Sequence, residues 1–501
     1  MKLKITISIA FLVFSIYNSS AQAIEIEKCD CPFEIANIEA DSVWCGKLLV
    51  PESRDKKNNR LLEIAFTVIS PENPAPEPVV ILPGGPGIGP LRATAIKGGP
   101  VFKLRSWIPQ DRTLVVFDPR GTGLSGPTMC PNLNDTWGTI SAMDLTIEEQ
   151  RKVRLGLDLA CRDQLMREGI DLNAYNSISV AHDVNDLMNA LGYEKYNLLG
   201  GSYGVPMSTM IINLFPDRVR SATLVSGPYL NLKDIVRYDV PNFYNNLERI
   251  FNLCSNDPEC SKKYPNLKDD FYNVYERLKS NPLILTVDTS KFRSPTFTLN
   301  SQDYIRIMYS RQTNESRIRS FPRIIKAFRD QEMNVIKNLV EWEFGGLNSN
   351  ASRMGILVHC FDSYTKSSFD EWKKEAEPYP QALSEIKYYL QPCEYWTDEA
   401  APESLRETFK SDVPALLISG ELDPMNPPEA SESYIPWFQN AQHIMTPGMG
   451  HMFPTERENF CWTEMIQRFI THPLQKVDTS CVSAIPEFKF DLKLPKWAKK
   501  E

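Results

Sequence analysis

Gly200-Gly201-Ser202-Tyr203-Gly204 lies directly between the apolar run Tyr196 to Leu199 and the helical run Val205 to Leu214. No other stretch restricts the fold as strongly. A strand that turns into a helix this tightly needs small residues on both sides of the serine, because Cβ atoms there would collide. Such a turn holds its serine hydroxyl proud of the sheet, at the C-terminal end of the strand. The chain is therefore expected to build a sheet of buried strands with helices packed over it.

The rest of the chain carries that pattern. Apolar, β-branched runs recur at Leu62 to Ser70, Val79 to Leu82, Thr113 to Phe117, Tyr196 to Leu199, Ala222 to Ser226, Ala415 to Ser419 and His443 to Thr446. Several are apolar at nearly every position, as strands buried on both faces are. Between them, Ile147 to Glu168 and Ser179 to Leu191 read as helices. The second carries Val180, Val184, Leu187, Met188 and Leu191 on one face, and Gly192 ends it. The alternation predicts an α/β fold with a mostly parallel sheet. From about residue 231 to 410 strand signals fade, and Val240 to Leu253, Asp303 to Tyr309 and Phe321 to Phe344 have helical spacing. The strand pattern then resumes. A length of 501 residues could hold three domains, but an interrupted rhythm predicts one sheet, from 24–230 and 411–501, split by a helical insertion. The Pro-rich stretch Pro71 to Pro78 reads as a surface connection.

Lys2 and Lys4 precede the apolar stretch Ile5 to Tyr17, followed by Ser19, Ser20, Ala21, Gln22 and Ala23. This is the pattern of a signal peptide, residues 1–23, cleaved near Ala23; the apolar part falls short of the ~20 residues that span a bilayer. The expected location is secreted or periplasmic, with no transmembrane segment in the mature chain. Export makes disulfides the default state of the 11 cysteines. Proximity pairs Cys130 with Cys161, Cys254 with Cys260, Cys360 with Cys393 and Cys461 with Cys481. Cys45 then takes Cys31 or Cys29, and one cysteine is left over. With 55 Lys and Arg against 63 Asp and Glu and no basic cluster, a nucleic-acid partner is excluded.

A serine hydroxyl attacks a carbonyl only if a base takes its proton, so a histidine held by a carboxylate should follow in the order Ser, Asp or Glu, His. Of five histidines, His451 sits in the glycine loop Pro447-Gly448-Met449-Gly450-His451 after the last strand, where it can reach Ser202. His443 lies within that strand, His359 in the insertion, and His472 near the end of the last helix. Asp423 follows the strand Ala415 to Ser419 in Gly420-Glu421-Leu422-Asp423-Pro424 and is the expected orienting acid, with Glu421 its competitor. Negative charge on a tetrahedral intermediate needs backbone amides. Tyr203 should give one, and Gly85, in Pro83-Gly84-Gly85-Pro86-Gly87 after Val79 to Leu82, the other. In the third glycine loop, Asp118-Pro119-Arg120-Gly121-Thr122-Gly123-Leu124-Ser125, Asp118 and Arg120 are expected to pair and brace the loop.

Together these motifs resemble the serine aminopeptidases of the α/β-hydrolase superfamily, the group of prolyl iminopeptidases and secreted tripeptidyl aminopeptidases. The matching pieces run in order from about residue 45 to 461. Pro83 replaces the His that often opens the glycine motif, and Pro119 stands where Gln is usual. The resemblance implies that the insertion is a helical cap whose carboxylates hold a substrate's α-amino group, with Glu341, Glu343 and Asp362 as candidates. It also implies an aminopeptidase that forms an acyl-enzyme on Ser202 and needs no metal or organic cofactor. A carboxylesterase or lipase would use the same machinery on a small ester instead of a peptide. An inactive scaffold serving as a binding protein should have lost Ser, His or Asp, and all three are present.

Overall fold

A computed structural model describes residues 25–31, 42–55, 60–91, 105–130, 133, 139–143, 145–229, 239–345, 353–379, 392–396, 400–402, 409–451, 454 and 456–493. The expected signal peptide lies outside them. The strands are β1 (Ile26–Cys29), β2 (Ser42–Pro51), β3 (Leu61–Ser70), β4 (Val79–Leu82), β5 (Leu114–Phe117), β6 (Tyr196–Gly201), β7 (Val219–Val225), β8 (Leu283–Thr286), β9 (Thr296–Leu299), β10 (Ala415–Gly420) and β11 (Ala441–Thr446). Nine form one sheet in the order β1-β2-β3-β5-β4-β6-β7-β10-β11. β1, β2, β3 and β5 pair antiparallel in turn, and all pairs from β5 across to β11 are parallel.

The chain has the α/β-hydrolase fold, and the sheet's alternation explains its two cores. Val80, Leu82, Val115, Phe117, Leu198, Leu224 and Leu417 face one cluster, while Val79, Ile81, Leu114, Val116, Leu199, Val225, Leu416 and Ile418 face the other. Successive residues of a strand point to opposite faces, so strands apolar at every position need cover on both sides.

Helices supply the cover. The main ones are α1 (Ile147–Arg167), α2 (Ser177–Ala190), α3 (Gly204–Leu214), α4 (Asp239–Asn256), α5 (Phe321–Arg329), α6 (Met333–Phe344), α7 (Met354–Asp362) and α8 (Glu456–Thr471). α1 opens with a capping box between Thr146 and Glu149, and the Asn176 side chain caps α2 on the Ser179 amide. α2 and α3 close the first face. Trp462, Met465, Ile466, Phe469 and Ile470 of α8 close the second.

β7 ends at Val225 and the next strand of the main sheet, β10, begins at Ala415. The described residues between them are mostly helical, and their apolar side chains continue the first core. They also hold a separate hairpin, β8 with β9. One expectation fails here. The stretch Phe321 to Phe344 is two helices, α5 and α6, because Gln331 takes a left-handed φ of 54° and turns the chain without a glycine or proline to announce it.

Five disulfides tie the chain locally: Cys31–Cys45, Cys130–Cys161, Cys254–Cys260, Cys360–Cys393 and Cys461–Cys481. Cys29 is the exposed free thiol. Among the described residues no helix is long and apolar enough to cross a membrane.

Candidate active site

Parallel strands end together, so the loops after β4, β6, β10 and β11 meet along one edge of the sheet, where α/β folds place ligands. At its centre, Ser202 turns β6 into α3 with φ 54°, a left-handed conformation costly for a residue with a Cβ. A Cβ on Gly200 would lie 2.4 Å from the Gly204 carbonyl oxygen and from Ser208 Oγ. One on Gly204 would lie 2.1 Å from the Leu82 carbonyl oxygen. Glycine is required at both positions, and the second presses the elbow against the end of β4. The Ser202 amide is anchored on the Val225 carbonyl at 2.9 Å.

His451 Nε2 stands 3.0 Å from Ser202 Oγ, and its Nδ1 stands 2.8 Å from Asp423 Oδ2. Asp423 is fully buried. Its other oxygen accepts the amides of Met425 and Asn426, both at 2.9 Å. Those bonds fix the carboxylate, the carboxylate holds a proton on Nδ1, and Nε2 is left as the acceptor facing the serine. Such a chain can draw the proton from a hydroxyl as it attacks an electrophile. The structure thus brings Ser202, His451 and Asp423 together.

The competitors have other partners. Glu421 accepts the Gly448 amide at 2.8 Å, holding the histidine loop from below. His443 shares a hydrogen bond with Ser419 Oγ at 2.8 Å. His359 is buried in α7, and burial pushes its imidazole down to about 3, so it is neutral.

Gly85 follows β4 in a left-handed conformation, φ 116°. Its neighbours Gly84, Pro86 and Gly87 line one small apolar cavity with Tyr203, Met207 and Met354. The two segments expected to give oxyanion amides are therefore adjacent.

The three carboxylates of the insertion are not equivalent. Glu341 accepts the Asp288 amide at 3.0 Å and Lys291 Nζ at 3.2 Å. Glu343 is half-buried beside Arg311 and Arg317, whose guanidinium groups stand over the Trp342 ring at 4.4 and 4.3 Å. Asp362 is fully buried. Its oxygens accept the Ser177 hydroxyl at 2.7 Å and the Tyr203 phenol. Nothing in the sequence marks the Tyr203–Asp362 contact, which joins residues 159 positions apart.

The third glycine loop is braced otherwise than expected. Asp118 accepts the amides of Leu91 and Leu124, at 2.9 and 2.7 Å. Arg120 pairs with Asp183 instead, through two bonds of 2.7 and 2.6 Å, and also donates to the carbonyls of Glu52 and Ala174. A buried guanidinium needs a planar bidentate acceptor and further carbonyls for its remaining protons. Asp183, on α2, meets that need, while Asp118 is occupied by loop amides.

Two family models match separate parts of the chain. A family model described as alpha/beta hydrolase fold matches residues 77–274, and one described as TAP-like protein matches residues 379–481. The Escherichia coli protein YuaR is 22% identical over 515 residues, covering 95% of this chain and 96% of that protein. Serine protease Hip1 of Mycobacterium tuberculosis is 30% identical over 189 residues, 36% of this chain and 35% of that protein. A tripeptidyl aminopeptidase of Streptomyces coelicolor is 29% identical over 188 residues, 36% and 34%. The last two matches span about a third of those relatives' length.

Proposed function

From the premise that this chain is a serine hydrolase of the α/β-hydrolase fold with a TAP-like C-terminal part, we propose that it is an exported aminopeptidase using Ser202, His451 and Asp423. The observation that carries the chemistry is the hydrogen-bonded line from Asp423 through His451 to Ser202 Oγ. The TAP-like match and the similarity to a tripeptidyl aminopeptidase support a peptide substrate. The five disulfides and the signal pattern support export.

In this reading Ser202 Oγ attacks the scissile carbonyl while its proton passes to His451 Nε2. The carbonyl oxygen becomes an oxyanion, held by the amides of Tyr203 and Gly85. Collapse expels the amine, which takes the proton from His451 and leaves an acyl-enzyme. Water, deprotonated by the same imidazole, then frees the acyl group and Ser202. Asp423 holds the tautomer and stabilises the imidazolium. A free α-amino group on the substrate is a cation that needs a counter-charge. All three cap carboxylates already have partners, Glu341 a lysine, Glu343 two arginines and Asp362 two hydroxyls, so the counter-charge is assigned to none of them.

The test is one substrate panel: Pro-, Ala- and tripeptidyl-arylamides, each free and N-acetylated, beside short-chain esters. Cleavage of the free arylamides that is lost on acetylation is the expected result. Turnover of esters with none of any arylamide would overturn the peptidase reading and leave a carboxylesterase.

A further inference from the structure

Helix α7 belongs to the insertion, yet it touches both segments on which the proposed oxyanion hole rests. Gly355, in its first turn, packs on the glycine loop after β4, so closely that a Cβ there would lie 2.6 Å from the Pro86 carbonyl oxygen. One turn on, the His359 ring meets the Tyr203 ring edge to face at 5.4 Å between centroids. At its end, Asp362 accepts the Tyr203 phenol and the Ser177 hydroxyl. Asp362, Ser177 and Tyr203 are all buried, so these bonds form where water does not compete and are correspondingly strong.

The helix is itself held at both ends. Arg353, just before it, pairs with Asp158 of α1 at 3.1 Å, and Cys360 near its end is bonded to Cys393. Burying a carboxylate is unfavourable unless donors satisfy it. The pair of hydroxyls that does so here includes the side chain of the residue directly after the nucleophile. The phenol lies at the far end of a rigid ring, and pinning it fixes the Cα, and with it the amide, of Tyr203.

Resting on the reading of Ser202 and the Tyr203 amide given above, we propose that Asp362 is a positioning residue that sets the oxyanion hole through the Tyr203 phenol, and that α7 thereby couples the insertion to catalysis. Asp362 then acts on every acyl substrate alike, whatever its amino terminus. That distinguishes it from a residue that binds the substrate's ammonium group.

The experiment compares Asp362→Asn, Tyr203→Phe and the double variant with the parent on a tripeptidyl-arylamide and on a short-chain ester. Each single change should lower kcat about 10- to 100-fold on both substrates, as a displaced oxyanion donor does, with KM within about threefold. The double variant should be no worse than the poorer single one, because both act on the same bond, Tyr203→Phe by removing its donor and Asp362→Asn by removing the charge that strengthens it. Tyr203→Phe removes only the hydroxyl and keeps the ring, so it answers the question even if Asp362→Asn fails to fold. Unchanged kcat in Tyr203→Phe, additive losses, or a KM increase confined to the free-amino substrate would overturn the proposal. Failure of the underlying reading looks different: Ser202→Ala would then retain turnover.

Discussion

The main-chain amide of His451 donates to the carbonyl of Thr313 at 2.9 Å. The loop that carries the imidazole is thus hung from the helical insertion as well as from β11. The contact is close, for a Cβ on Gly450 would stand 3.1 Å from Asn314 N, Gln312 O and Thr313 C. Gly450→Ala is expected to push the two segments apart by a few tenths of an ångström, and His451 with them. Because misplacement on this scale is felt at a proton-transfer site, kcat should fall about tenfold. Unchanged kcat, measured on the best substrate of the panel, would show that the insertion yields without moving His451.

Asp423→Asn should be the more severe change. An asparagine can still accept the amides of Met425 and Asn426, but its amide group toward Nδ1 favours the wrong tautomer. A loss of about 10³- to 10⁴-fold in kcat is expected with the fold retained. Glu421→Gln keeps an acceptor for the Gly448 amide and should leave kcat within a few-fold of the parent. Reversed magnitudes would move the orienting role to Glu421.

Adding one methyl group should have opposite effects at two glycines, one in the elbow and one in α1. Gly204→Ala sets a Cβ against a strand-end carbonyl that has nowhere to go, so stability should fall by about 1–3 kcal/mol or more. Gly156 lies inside α1 with nothing within 4 Å of an added Cβ. There the same change relieves only the entropy of glycine in a helix and should add about 0.5–1 kcal/mol. Urea midpoints for the two variants check both signs.

His359 should make the fold acid-sensitive. Burial holds its pKa at about 3, against ~6.5 in an unfolded chain. Between those values the unfolded chain binds more protons, so this residue's contribution to stability is lost as pH falls through that window and is constant above it. His359→Phe removes the titration. Thermal midpoints measured from pH 7 to 4 should therefore drop more for the parent than for the variant; parallel curves would contradict the assignment.

How much of this was legible depended on the distance over which each interaction acts. β4 and β5 were plain because every position is apolar, and β10 because its first four are; such runs occur where both faces are covered. The elbow was plain because its steric demand falls on residues within two positions of Ser202. β1 and β2 were missed: β2 mixes buried, half-buried and exposed positions in Ser42–Pro51, and β1 is a mostly exposed edge strand. The break at Gln331 carries no glycine or proline. Proximity in sequence points Arg120 at Asp118, whose carboxylate takes loop amides instead, whereas Asp183, 63 positions away, receives the guanidinium through two bonds in the folded chain. The Tyr203–Asp362 bond has no local signature, since its partners meet only once the insertion has folded back over the sheet.

In the proposed mechanism Ser202 forms the acyl-enzyme. Labelling the purified chain with a fluorophosphonate probe and locating the adduct by peptide mass spectrometry tests it most directly, because the phosphorus is captured by whichever hydroxyl is activated. A single adduct on the peptide containing Ser202, absent from Ser202→Ala together with substrate turnover, is the predicted result. Equal labelling of Ser202→Ala and the parent, or turnover that survives the substitution, would contradict it.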